Sequence, residues 1–225
     1  MGSGGQKLRL LAFHGFRTSG TIFAQQMEIS RLSKNLEDLI DIVYLDAPNV
    51  ASGPIPADVP SDIFKGPYYE WWNAEQDPTT KEILRYKGWD ETLAFVKDYI
   101  RLHGPFDGFL AFSQGTILAS LLLAMKQQGL ILQHPCAPRF ALCFGGVIAA
   151  PVMQHFYHAT KIQAHSLHCI GDKDFVKKWS HKLMDTFENP VLITHPRGHV
   201  VPALEGESLE KLRSFLMARQ QESAL

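Results

Sequence analysis

Three residue types far apart in the chain could together move an acyl group: a serine, a histidine and an acid. Ser113 stands in Ala111-Phe112-Ser113-Gln114-Gly115, between the apolar runs Phe109-Leu110-Ala111-Phe112 and Thr116 to Leu123. A serine on a sharp turn between a buried strand and a buried helix is a nucleophile elbow, a strained turn that exposes the hydroxyl. Such a turn brings the residues two before and two after the serine almost into contact, and Ala111 and Gly115 are both small. A serine at a helix start also serves simply as an N-cap. A serine hydroxyl is a weak nucleophile at neutral pH and needs a base within hydrogen-bond reach. Histidine suits that role because its pKa lies near the working pH. The chain holds 10 histidines, so type alone says little. His199 is set apart by its place in Pro196-Arg197-Gly198-His199-Val200-Val201-Pro202, directly after the β-like run Val191-Leu192-Ile193-Thr194. The plain alternative is a surface-loop histidine.

The acid is expected on the loop after the preceding strand. His165 to Ile170 reads as that strand and Gly171-Asp172-Lys173-Asp174-Phe175 as the loop. Reach to the imidazole Nδ1 across the top of a sheet favours Asp174. Asp172 is the second candidate, and it could instead fix the turn through its own backbone. Either could cap a helix that starts near Phe175. An oxyanion needs two donors. The backbone N–H of Gln114, just after the serine, is one. The N–H of Phe16 is the expected other, in His14-Gly15-Phe16-Arg17-Thr18-Ser19-Gly20 after the strand-like Lys7 to Phe13. Gly15 allows close backbone approach there. His14 is expected to brace this loop, and Arg17 to form an ion pair or loop brace rather than hold a substrate carboxylate.

Strands are predicted at 7–13, 39–45, 107–112, 139–147, 165–170 and 190–194. Trp89, Leu93, Val96 and Ile100 fall on one face of a helix ending near His103-Gly104. Leu209, Leu212 and Leu216 mark the face of a last helix. Alternating strands and helices predict an α/β fold with a mostly parallel, doubly wound sheet and reacting groups at the carboxyl ends of its strands. Region 49–80 breaks the alternation. It is rich in proline and carries Tyr68, Tyr69, Trp71 and Trp72. Loops of this length are functional or disordered, and the aromatics argue against disorder. The expectation is a short lid-like insertion whose four aromatics line an acyl pocket. The alternative is that they anchor the loop, since large aromatics are common core material. The expected organisation is a flexible lead at 1–6, a single domain at 7–220 and a tail at 221–225.

At 225 residues the chain suits one domain with a substantial core. Hydrophobic residues make up 45% and charged residues 20%, as in soluble globular proteins. A formal net charge of −1 without a basic run gives no sign of nucleic-acid binding. Cys136, Cys143 and Cys169 lack metal-ligand spacing and are expected as reduced thiols of an intracellular protein. No HExxH pattern appears, so no metal is expected. Met1 to Gln6 has no signal-peptide core, and Gln6 departs from the myristoylation pattern. The apolar run 118–125 is too short to span a bilayer. A cytoplasmic location, with the nucleus as a second compartment, follows as the expectation, without stable membrane association. Nothing in the chain specifies an oligomeric state.

The blocks Leu11 to Gly20, Tyr44-Leu45-Asp46-Ala47-Pro48, Gly66 to Trp72, Ala111 to Gly115, Gly171 to Asp174 and Gly198 to Pro202 together resemble the FSH family of serine hydrolases, of the α/β-hydrolase superfamily. The resemblance runs over nearly the whole chain. It implies a cofactor-free hydrolase of carboxylic esters or thioesters, with Ser113, Asp174 and His199 as the matching triad, and it favours Asp174 over Asp172. Phe175-Val176-Lys177-Lys178 departs from relatives, which often carry a more apolar stretch ending in proline. The function expected is hydrolysis of small acyl esters, of medium to long chain, through an acyl-enzyme. Action on a carrier- or CoA-bound thioester, or acyl transfer to another acceptor, is the nearest alternative. A non-catalytic ligand receptor on a hydrolase fold is the alternative of another class.

Overall fold

A strand covered on both faces needs apolar side chains at odd and even positions alike, and the central strands of this chain have them. The computed structural model describes residues 6–134, 137–157 and 160–223. In chain order the elements are β1 (Leu8–Phe13), α1 (Gly20–Ile29), α2 (Leu32–Asn35), β2 (Ile40–Leu45), β3 (Asn49–Val50), β4 (Tyr69–Glu70), β5 (Asn73–Gln76) and β6 (Ile83–Lys87). They continue with α3 (Trp89–His103), β7 (Gly108–Phe112), α4 (Gln114–Gln127), β8 (Phe140–Phe144), a 3-10 turn (Pro151–Tyr157), β9 (His165–Gly171), α5 (Lys177–Met184), β10 (Val191–His195) and α6 (Gly206–Ser223).

Six strands form one sheet in the order β10-β9-β8-β7-β1-β2, every neighbouring pair parallel. Leu11, Phe13, Phe109, Ala111, Ala141 and Cys143 pack against α3 and α4. Their neighbours Leu10, Ala12, Leu110, Phe112, Leu142 and Phe144 pack against α1 and α6. The period-two alternation thus feeds two cores, one on each face. This is the α/β-hydrolase arrangement. From β1 the chain moves outward to β2, then returns to β7 and proceeds the other way. The switch lies between β1 and β7, and a sheet of this kind opens a crevice at the carboxyl ends of the strands there.

The predicted strands match these six within a few residues. The largest difference is β8, expected to run to 147 but ending at Phe144, because Gly145 takes φ +51° and turns the chain out of the sheet. The helix expected to end near His103-Gly104 is α3, closed by Gly104. The last helix runs to Ser223, so 221–223 of the expected tail are its final turn. Ala224, Leu225 and residues 1–5 of the expected lead lie outside the described residues, as does Cys136. Cys143 and Cys169 are free and buried. No described helix is long and apolar enough to cross a membrane.

The region after β2 forms two small antiparallel ribbons, β3 with β4 and β5 with β6, so the insertion reaches past 80 to the start of α3. Trp71 and Trp72, expected to wall an acyl site, are 0% and 2% exposed. The Trp72 ring stacks on Tyr86 and meets the edge of Trp89. Trp71 packs its ring edge-on to Phe13. These two indoles are therefore core, and the pocket-wall expectation is corrected for them. The reason is that residues outside the stretch 49–80 supply their aromatic seats, Tyr86 and Trp89 for Trp72 and Phe13 and His14 for Trp71. Tyr68 and Tyr69 stay half-buried, with the Tyr68 hydroxyl donating to the Phe64 carbonyl.

Trp71 also holds the loop after β1, since its Nε1–H donates to the His14 carbonyl at 2.9 Å. His14 is fully buried. Its Nε2 accepts from the Ala47 N–H at 3.1 Å, so Nδ1 carries the proton and donates to the Gly15 carbonyl at 2.8 Å. Burial pushes the His14 pKa down to about 4 from an ordinary 6.5. The neutral ring is thus a strut between the loops after β1 and β2. Arg17 likewise braces: its Nε donates to the buried Glu70 carboxylate at 2.8 Å and its terminal nitrogen to the Pro54 carbonyl at 2.9 Å. Ser52 donates to the other Glu70 oxygen.

Two outcomes follow for stability. Replacing Trp72 with alanine should cost about 3–5 kcal/mol, the range for emptying a buried large aromatic site. Urea unfolding measures it, and a loss below 1 kcal/mol would contradict the core assignment. Acidification should act through His14. The unfolded chain binds a proton at His14 near pH 6.5 and the folded chain only near 4, so stability is intact above that window and falls as pH drops through it. For His14 alone the loss at pH 4.5 is about 2–3 kcal/mol. Unfolding free energies at pH 7 and 4.5 should therefore fall further in the wild type than in His14→Gln, and equal falls would show that His14 is not held neutral.

Candidate active site

The turn at the end of β7 sets the geometry. Ser113 takes φ 52° and ψ −119°, a conformation rare for a residue with a side chain. Its N–H donates to the Phe144 carbonyl at 3.1 Å, and its own carbonyl accepts from the N–H and hydroxyl of Thr116. Gly115 is needed because a Cβ there would lie 2.2 Å from the Phe13 carbonyl oxygen. Ala111 is fully buried in β7. The small residues two before and two after the serine thus let α4 leave β7 steeply and pass close to β1. Ser113 makes no N-cap bond to α4, so its hydroxyl remains available.

That hydroxyl meets His199. Ser113 Oγ lies 2.9 Å from His199 Nε2, and His199 Nδ1 lies 2.9 and 3.1 Å from the two oxygens of Asp174. A carboxylate only accepts, so Nδ1 carries the proton and Nε2 is left to accept from the serine hydroxyl. The His199 and Asp174 side chains are 6% and 1% exposed. Asp174 is aimed by its surroundings: Oδ1 also accepts from the Val176 N–H at 2.8 Å, just before α5. Asp174 therefore combines a bond to the backbone N–H two residues on, which is the Asx-type turn leading into α5, with a bond to the histidine. Asp172 points elsewhere, exposed and 3.0 Å from Lys177 Nζ.

The structure brings Ser113, His199 and Asp174 together from the ends of three different strands. The two expected donors sit beside the same turn. Gln114 opens α4, where a first-turn N–H has no intrahelical acceptor. Among the described residues no hydrogen bond takes the Phe16 N–H. Gly15 lies against the turn, since a Cβ on it would come 3.1 Å from the Phe112 ring and 3.4 Å from the Ser113 Cβ.

Three features escaped the sequence reading. The Gln114 side chain accepts from the Trp71 N–H at 3.2 Å and donates to the Trp72 carbonyl at 2.9 Å, pinning the insertion to the elbow. Nothing local distinguishes that glutamine from any other. Gly145 turns at positive φ directly under the histidine, and a Cβ there would stand 2.9 Å from the His199 ring. The Gly145-Gly146 pair after an apolar run was the available signal. Finally, the exposed Phe175 ring lies 4.8 Å from that of His199.

A model of the serine hydrolase (FSH1) family matches residues 2–210. The esterase OVCA2 of Xenopus tropicalis is 34% identical over 208 residues, covering 87% of this chain and 86% of that protein. An uncharacterized hydrolase of Schizosaccharomyces pombe is 30% identical over 219 residues, covering 88% of this chain and 48% of that protein, so the chain spans about half its length. Among solved structures, the Bacillus cereus carboxylesterase superposes with a TM-score of 0.58 at 14% identity, over 97% of this chain and 92% of that one. At that identity the likeness is one of fold, and the fold is the α/β-hydrolase sheet described above. With the family match running over most of the length, this chain belongs to the FSH1 family of serine hydrolases.

Proposed function

We propose that the chain hydrolyses carboxylic esters, with Ser113 as nucleophile, His199 as general base and acid, and Asp174 as the partner of the imidazole. The observation that carries this reading is the continuous hydrogen-bonded line from Asp174 through His199 to Ser113 Oγ, ending on a half-buried serine in a strained turn. The family match and the esterase names of relatives support the same reaction class.

The steps follow from these contacts. Ser113 Oγ bonds to the carbonyl carbon while its proton passes to His199 Nε2. The negative charge that grows on the carbonyl oxygen is held by the N–H groups of Phe16 and Gln114, a contribution of about 3 kcal/mol per donor in serine hydrolases. The bond from that carbon to the alcohol oxygen breaks, and the oxygen takes the proton from Nε2. Water then enters, gives a proton to Nε2 and attacks the acyl-serine, and the acid leaves as Oγ recovers its proton. Asp174 keeps the imidazole in the Nδ1–H tautomer and stabilises its charged form. The low exposure of the His199–Asp174 pair strengthens that interaction.

The bond pattern supports different roles for the two aspartates. With p-nitrophenyl butyrate, Ser113→Ala should lower kcat by about 10⁴-fold or more. Asp174→Asn should cost on the order of 10³- to 10⁴-fold, because an amide cannot hold the same tautomer and charge. Asp172→Asn, which removes only an exposed ion pair, should stay within about threefold of wild type. Near-normal turnover by Ser113→Ala, or an inactive Asp172→Asn beside an active Asp174→Asn, would overturn the assignment.

A further inference from the structure

Phe175 follows Asp174 directly and is 65% exposed, although its ring lies against the His199 imidazole, 4.8 Å between centroids at 53°. A second ring, Phe112, lies 4.9 Å from the same imidazole but belongs to the core. The imidazole thus has one aromatic neighbour built into the sheet and one facing out. Val200, next to His199 in the chain, is also exposed. An exposed large apolar side chain beside a reactive pair is an informative position, whereas scattered exposed apolar residues are ordinary.

The chemistry decides which part of a substrate meets that ring. The alcohol oxygen takes its proton from His199 Nε2, so at bond cleavage it must lie within hydrogen-bond reach of Nε2. The first carbons of the alcohol are bonded to that oxygen and stand beside the imidazole. The acyl chain is attached instead to the carbonyl carbon held by Ser113 Oγ. A solvent-facing ring against the imidazole is therefore placed for the leaving group. Resting on the esterase reading above, we propose that Phe175 is a specificity-determining contact for the leaving group, and that the enzyme selects esters whose alcohol part is apolar. The apolar contact expected at Trp71 and Trp72 moves by this account to the opposite end of the ester bond.

The test varies the two ends of the ester separately. kcat/KM is measured for methyl, butyl and octyl acetate, and for ethyl acetate, butyrate and octanoate, with wild type, Phe175→Ala and Phe175→Leu. Wild type should favour octyl over methyl acetate. In Phe175→Ala that preference ratio should fall about tenfold, as expected for losing contact with two or so methylenes, while Phe175→Leu retains most of it. The ethyl ester series should lose by the same factor at every acyl length. Thermal melts check that the exposed substitution leaves the fold intact. Equal loss on methyl and octyl acetate would make Phe175 a mere cover of the imidazole, loss graded with acyl length would put the contact on the wrong side, and no loss would remove it. All three overturn the proposal. Ser113→Ala on the same esters separates the two readings: near-wild-type activity there sinks the esterase assignment, whereas a loss of about 10⁴-fold in Ser113→Ala leaves the Phe175 results to judge this inference alone.

Discussion

The reactive end of the molecule depends on one strained residue. Ser113 at φ 52° and ψ −119° occupies a conformation that costs of order 1–3 kcal/mol and survives only where neighbours over-determine it. Here they do. β7 is hydrogen-bonded between β1 and β8, the Ser113 N–H is taken by Phe144, and α4 is buried from Gln114 to Met125. The missing Cβ of Gly115 is what lets α4 lie against the Phe13 carbonyl. With a side chain there α4 must retreat, the turn must relax, and Ser113 Oγ leaves the 2.9 Å reach of His199.

The loops around this turn are held by different physics, and each tie ends near the serine. Hydrogen bonds through a neutral, buried His14 join the loop after β1 to that after β2. The Arg17–Glu70 pair, with Ser52 on the second carboxylate oxygen, fastens the insertion to the same loop. Buried indoles do the rest, with Trp71 and Trp72 fixed by their rings and their backbones fixed by Gln114. Gln114 thus joins the helix that carries the elbow to the segment that covers the β1 loop. Such cross-tying pre-organises donors and acceptors before any substrate arrives, which is where electrostatic stabilisation of a transition state gains most.

Much of this was legible from residue order, and for physical reasons. Ser113, His199 and Asp174 sit at strand ends, and each carries a short local signature: small residues around a sharp turn, a Gly/Pro loop after a β-run, an acid deep in a loop. The sheet was legible because strands buried on both faces read as continuous apolar runs. What stayed hidden depends on residues distant in the chain. Trp71 and Trp72 look alike whether they line a pocket or fill a core, and the answer came from Phe13 and His14 for the first and from Tyr86 and Trp89 for the second. The strands β3 to β6 are two to five residues long, too short for an alternation to reveal them.

The central claim is that Ser113 is activated by its neighbours while the other serines are not. Ser19 caps α1 and Ser120 bonds the Ile117 carbonyl and the Tyr157 hydroxyl, so both hydroxyls are engaged structurally. Reaction with a fluorophosphonate, followed by peptide mass spectrometry, reads this directly. The adduct should form stoichiometrically on Ser113 in wild type, and its rate should fall by orders of magnitude in His199→Ala. An adduct on any other serine, or equal labelling rates in wild type and His199→Ala, would contradict the account.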